Sequence, residues 1–309
     1  MIAVVAFGWV LLALPGTGCR RRNLLEPATE ARHTAWSLAI GSGLVGFGLV
    51  SMSVPTLLDG VGAHHLAAFC RKVIHDVLAG GHLGGGAAAL LMAVLMVRAV
   101  TGWRRIRRIQ QAAVIEPWVG HHERAGANYE LVVLPTTDFI ALTVGGPVAQ
   151  VVVSNGLVSA LTDEELTMVV RHELAHLRGR HHYYLAMAAV VDAMFGWVPM
   201  VRSSTRTLRL ALERSADEEA AGADPVARRV LYSALTAAAR CLPQPGITTF
   251  GGIDMVLERL RALESSAPSD RTRWSRVAVG LVASTAASLW LFSVVVVGVS
   301  LASSEICYF

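Results

Sequence analysis

Four uncharged apolar runs constrain this chain more than any other feature. A segment that enters a bilayer must satisfy every backbone polar group internally, and only helices or closed barrels do so. Residues 36–58 and 277–304 are each long enough to cross a hydrocarbon core of about 30 Å as a helix. Residues 77–97, interrupted by His82, form a third such run, and residues 1–19, weakened by Pro15, form a fourth. The composition agrees: 53% of the residues are hydrophobic and 16% charged, too apolar for an ordinary soluble enzyme.

Charge sets the expected orientation. A secretory signal carries its positive charges ahead of the apolar run, whereas Arg20, Arg21 and Arg22 follow it, so the first run reads as a retained anchor. Further cations stand at Arg32, at Arg104, Arg105, Arg107 and Arg108 after the third run, and at Arg271, Arg273 and Arg276 before the last. By the positive-inside rule these ends face the cytoplasm, which puts both chain termini outside and residues 104–270 inside. The same flanks account for the net charge of +4, so no direct nucleic-acid binding is expected. Cys19, Cys70, Cys241 and Cys307 form no CxxC pair, as suits a reducing compartment.

Within the polar stretch, His172-Glu-Leu-Ala-His176 places two histidines four residues apart. On a helix that spacing puts both imidazoles on one face, one turn apart, with Glu173 a step round the axis. Such a pair is half of a zinc site, in which the metal acidifies a water and a neighbouring carboxylate takes its proton. The helix is itself expected: Thr162 and Glu165 have the spacing of a capping box, and Leu166, Val169, Val170, Leu174 and Leu177 recur at helical period.

Two residues compete to be the third ligand. Read literally, His172 to His182 fits HExxHxxGxxH, with Gly179 turning the chain and His182 completing a three-histidine site. Against it stands Glu213-Arg-Ser-Ala-Asp217 on a second helical stretch, which resembles the ExxxD motif of gluzincin proteases, where Glu is a ligand and Asp orients a ligating His. His181, Tyr183, Tyr184 and Arg214 are unranked candidates for stabilising an oxyanion.

Around these motifs the patterning predicts three short strands at 129–134, 139–144 and 150–154, and helices at 163–178, 184–195, 204–221, 225–241 and 254–263. His121 and His122 read as loop, and residues 265–270 as a linker to the last run. Ser42 with Gly46, and Gly80 with Gly84, have the small-xxx-small spacing that lets helices approach closely. The expected fold class is α+β, mainly α: a multi-pass membrane protein with a zincin-like domain built from a small β-sheet and the HExxH helix. Residues 1–103 would hold three spans, 104–270 the cytoplasmic domain, and 271–309 the fourth span with a short external tail.

Residues 151–157 (VVVSNGL), 161–166 (LTDEEL) and the HExxH run with its basic tail resemble the approach to the active site in bacterial integral-membrane gluzincins. Phe195-Gly-Trp-Val-Pro199, followed by an Arg-rich helix and Glu213 to Asp217, is more similar to the BlaR/MecR antirepressor type than to the HtpX and CAAX prenyl endoprotease type. The resemblance implies Zn²⁺ held by His172, His176 and Glu213, Glu173 as general base and Asp217 as a partner behind the ligands. It also implies a protein substrate, either a cytosolic winged-helix repressor or, in HtpX-like fashion, damaged membrane proteins. The antirepressor pattern is expected without its penicillin-binding sensor domain. A non-catalytic zinc adaptor is the contrary reading, and an intact Glu173 argues against it. Oligomeric state is open.

Reporter fusions test the topology. Fusions after Arg108 and after Ser266 should report cytoplasm, and those near His65 and at Phe309 the outside. An external signal at Ser266 would reverse the placement.

Overall fold

The computed structural model describes residues 2–17, 26–74, 81–114, 122–123, 129–144, 149–241 and 253–265. The expected span at 277–304 lies outside these residues, as does most of the expected linker.

The N-terminal part contains α1 (Ile2–Thr17), α2 (Pro27–Gly60), α3 (His64–Ile74) and α4 (Gly81–Val114). Two stretches, Pro27–Gly60 and Leu83–Arg108, are long and apolar enough to cross a membrane, and Ala3–Thr17 is a shorter apolar helix. At 1.5 Å per residue α1 measures about 24 Å, short of a hydrocarbon core of about 30 Å. It lies against α2 through small residues: a Cβ on Gly41 would stand 2.8 Å from the Gly8 carbonyl oxygen and 2.9 Å from Leu12 Cγ. Gly48 packs on Val5, whereas a Cβ on Gly46 would meet nothing within 4 Å. The close approach therefore runs through Gly41 and Gly48, and the expected contribution of Gly46 is not seen. Helix α4 continues past Arg104 to Val114, because no proline or glycine beyond Gly102 interrupts it. The boundary expected at 103/104 thus falls inside one rigid element.

A four-stranded sheet follows in the order β1-β2-β4-β3, from β1 (His122–Glu123), β2 (Tyr129–Leu134), β3 (Ala141–Val144) and β4 (Ala149–Ser154). Strands β2 and β4 pair parallel, while β1 on β2 and β3 on β4 pair antiparallel. The run Val151, Val152, Val153 is buried on both faces, as a central strand requires. Val151 and Val153 face Leu157 and Val170, and Val152 faces Val132 and Leu134. Strand β3 is consequently an edge. The short β1, at a position read from sequence as loop, pairs His122 with Val132 and Glu123 with Leu131.

The remaining helices are α5 (Asn155–Ala160), α6 (Asp163–Arg178), α7 (His181–Phe195), α8 (Pro199–Ala221), α9 (Pro225–Cys241) and α10 (Ile253–Glu264). The expected capping box is present on α6: Glu165 N donates to Thr162 Oγ1 at 3.3 Å and Thr162 N donates to Glu165 Oε2 at 2.9 Å. A cap of this kind is worth about 1 kcal/mol, and it fixes where the helix that carries HExxH begins. Helix α8 starts earlier than the expected residue 204, because Pro199 suits a first helical turn, where its missing N–H has no partner to lose. Helix α7 likewise begins at His181 rather than at 184.

Helices α7 and α8 do not stand apart from the apolar helices. Leu12, Leu38, Val45, Leu95, Phe195, Leu208 and Leu212 form one buried cluster drawn from α1, α2, α4, α7 and α8. Trp9 of α1 meets Phe195 edge-on at 5.4 Å and Trp197 at 6.1 Å. The acid within the apolar α7, Asp192, is paired with Thr205 and Arg209 of α8. Elsewhere Met168, Ala220, Ala221, Leu231 and Leu263 join α6, α8, α9 and α10 in a second cluster.

Candidate metal centre

Helix α6 presents His172 and His176 on the face turned toward α8, and α8 returns Glu213 to them. One donor atom from each of these three residues lies within 4.8 Å of the others. The two Nε2 atoms are 3.1 Å apart, Glu213 Oε2 is 3.5 Å from His172 Nε2, and Oε1 is 3.6 Å from His176 Nε2. Two imidazoles and one carboxylate are a donor set suited to Zn²⁺.

Each imidazole has a partner on its far side. His172 Nδ1 lies 3.0 Å from Asp217 Oδ1, and His176 Nδ1 lies 2.9 Å from His181 Nδ1. Partners at Nδ1 fix the tautomer that turns Nε2 inward, which is the arrangement a metal-binding histidine needs. Gly179 and Arg180 make room for His181. A Cβ on Gly179 would collide with the His181 ring, and Arg180 adopts the left-handed conformation at φ 51°. His182, the rival third ligand, is exposed and lies over Tyr183 at 4.0 Å, and no donor of it joins the cluster. The glycine in HExxHxxGxxH therefore serves His181 here. Of the oxyanion candidates, His181 is engaged with His176, Tyr183 is exposed, and Arg214 is buried 3.7 Å from Glu30 of α2.

Glu173 is buried beside the cluster, and Thr143 of the edge strand β3 reaches it, with Oγ1 2.8 Å from Oε2 and 3.0 Å from the Glu173 carbonyl oxygen. Burial pushes the Glu173 carboxyl up, opposed by His172 and by the Thr143 bond. A carboxylate of raised basicity is what a general base working near neutral pH requires. Burial works against a charged His172, but its bonds to Asp217 and Glu213 outweigh this and lift it to about 9. Burial lowers both His176 and His181 to about 4, keeping them neutral. Glu213 and Asp217 would be raised by burial too, yet both are held below the usual carboxylate range by Arg259 and His172.

Arg259, from α10, is the residue that sequence reading missed. It donates from Nε and Nη2 to the two oxygens of Asp217 at 2.8 and 2.7 Å, and its Nη1 lies 2.9 Å from Glu213 Oε2. Between β3 and α9 an apolar cleft opens beside His172, Glu173 and Arg259, walled by Phe139, Leu157, Leu231, Leu235 and Ala238 among others.

A family model described as BlaR1 peptidase M56 matches residues 86–238, the stretch that contains HExxH and Glu213. The chain belongs to the BlaR/MecR-type peptidase family. It is thus a peptidase, and its two candidate membrane helices agree with membrane association. No curated protein and no solved structure matches it.

The two candidate third ligands make opposite predictions. In purified protein, Glu213→Ala should remove most of the bound zinc, because a ligand is lost from the cluster. His182→Ala should leave zinc near the wild-type amount. The reverse result in metal analysis would make this a three-histidine site.

Proposed function

We propose that this peptidase is a zinc-dependent endopeptidase, anchored by several membrane spans, that hydrolyses peptide bonds of a protein substrate at the cytoplasmic face. The observation that carries the reading is the convergence of His172, His176 and Glu213 with Glu173 alongside. The sheet and helices α5 to α10 form the zincin-like part, with the apolar helices α1, α2 and α4 and the expected span at 277–304 holding it at the bilayer.

A zinc ion in this cluster would supply Lewis acidity, lowering the pKa of a coordinated water to about 7 and polarising the scissile carbonyl. The remaining steps belong to the chain. Glu173 takes the proton from the attacking water and returns it to the leaving amine, with Thr143 holding its carboxylate at 2.8 Å. Among the described residues no strand pairs with the outer edge of β3, which lies beside α6, so an extended substrate can pair with it backbone to backbone and bring one peptide bond over the cluster. The apolar cleft then receives a side chain next to that bond, which favours a large apolar residue there.

Following the antirepressor resemblance, the substrate is a dedicated cytosolic winged-helix repressor. Comparing transcripts and newly formed peptide ends between cells carrying wild type and Glu173→Gln tests this directly. The expected result is one repressor cut and few transcripts altered, both abolished by the substitution, while purified Glu173→Gln retains zinc. Widespread membrane-protein fragments with no repressor cleaved would assign the chain to quality control in the HtpX manner. Proteolysis undiminished in Glu173→Gln would remove the proposed mechanism.

The cleft makes a separate prediction. Ala238→Phe should narrow it and shift cleavage of a peptide library from large apolar residues beside the cut toward Ala or Gly. An unaltered preference would show that no substrate side chain enters the cleft.

A further inference from the structure

Helix α10 lies beyond the residues matched by the family model, yet it reaches into the metal cluster. Arg259 is 3% exposed, and each of its three nitrogens meets a carboxylate: Nε and Nη2 meet Asp217, and Nη1 meets Glu213. Glu213 and Asp217 are four residues apart on α8, so the two like charges stand on successive turns of one face. Asp217 in turn holds His172 Nδ1 at 3.0 Å. A single guanidinium therefore contacts one candidate ligand directly and a second through its partner.

We propose that Arg259 is a positioning residue that fixes the grip of Glu213 on the metal. Its Nη1 holds Oε2, which stands 3.5 Å from His172 Nε2, while Oε1 faces His176 Nε2 at 3.6 Å, so the carboxylate is kept turned with both oxygens toward the two histidines. Glu213 is thereby held in the orientation in which it completes the cluster with His172 and His176. Only a planar fork does this. A lysine ammonium in the same place supplies the charge but cannot span both oxygens of Asp217 and an oxygen of Glu213 together.

Arg259 is itself held in place from a distance. Arg228 of α9, 5% exposed, donates to the carbonyls of Ala262, Leu263 and Ser265 at the end of α10, at 2.7, 3.2 and 3.1 Å, and to Glu218 Oε2 of α8 at 2.7 Å. Arg228 makes no contact with the metal cluster, so α10 acts as a strap pinned at its C-terminal end, with Arg259 on its inner side.

The proposal rests on the zinc-peptidase reading, and the experiment separates the two. Full-length protein in nanodiscs, carrying Glu173→Gln throughout to prevent self-cleavage, is titrated with zinc against a chelator and with Co²⁺ followed by its visible absorption. Arg259→Lys and Arg259→Gln should both weaken zinc binding about 10- to 100-fold, the usual cost of losing a partner behind a ligand. With Co²⁺ both should show visible bands altered from those of the parent, as Glu213 loses its fixed orientation. Arg228→Lys, at a residue bonded to neither Glu213 nor Asp217, should weaken zinc in the same direction by a smaller factor, and it carries the test if the Arg259 variants do not fold. Zinc affinity and cobalt spectrum unchanged in Arg259→Lys would overturn the proposal, as would unchanged zinc affinity in Arg228→Lys where that variant carries the test. Parent protein that binds neither ion would overturn the zinc reading and this proposal with it.

Discussion

Helix α8 must satisfy two environments at once, and the rest of the structure is arranged around that requirement. Leu208, Ala211 and Leu212 pack into the cluster shared with the apolar helices, while Glu213 and Asp217 turn toward the histidines of α6. Charges on these two buried sides need partners, unlike Arg202, Arg206 and Glu219, which stand on the exposed face of the same helix. Glu213 and Asp217 take Arg259, Arg214 lies by Glu30, and Arg209 pairs with Asp192. Removing one member of a buried pair typically costs about 3–5 kcal/mol, a large share of any domain's stability. The metal cluster and the packing against the apolar helices are therefore parts of one folding problem.

Charge balance explains the electrostatics of the cluster. Without a metal, the two α8 carboxylates are matched by Arg259 and a His172 inclined to hold a proton, while His176 and His181 stay neutral through burial. A divalent ion would take over the role of that proton. Glu173, bonded to the Thr143 hydroxyl, is pushed up by burial more than His172 and Arg259 pull it down, which leaves it suited to accept a proton.

What the sequence revealed was whatever is encoded locally. Helix α6 could be read because its capping box, its apolar period and its two histidines all fall within 17 residues of one another. Strands β2 and β4 could be read from β-branched runs between breakers. The start of α8 is marked locally by Pro199, whereas the start of α7 at His181 follows a left-handed turn at Arg180 that no residue type announces. Arg259 stands four residues from both Met255 and Leu263 on the apolar face of α10, which sets it apart from the exposed Arg261, but nothing local shows the carboxylates it meets, one of them 42 residues away. His181 was hidden for a similar reason, since its direction depends on the left-handed turn at Arg180.

The hairpin of α7 and α8 has a consequence for what can be cut. Both helices run from the metal cluster to the turn at Phe195 and Trp197 that rests on Trp9, and 14 steps along either one cover about 21 Å. These two pillars have a common core with the apolar helices, so the height of the cluster above the Trp9 level is fixed like the jaw of a caliper. An extended polypeptide rises about 3.4 Å per residue. A chain tethered at that level would have to pay out roughly six residues before any of its peptide bonds reached the cluster. Bonds nearer the tether would be spared by distance alone, whatever their sequence.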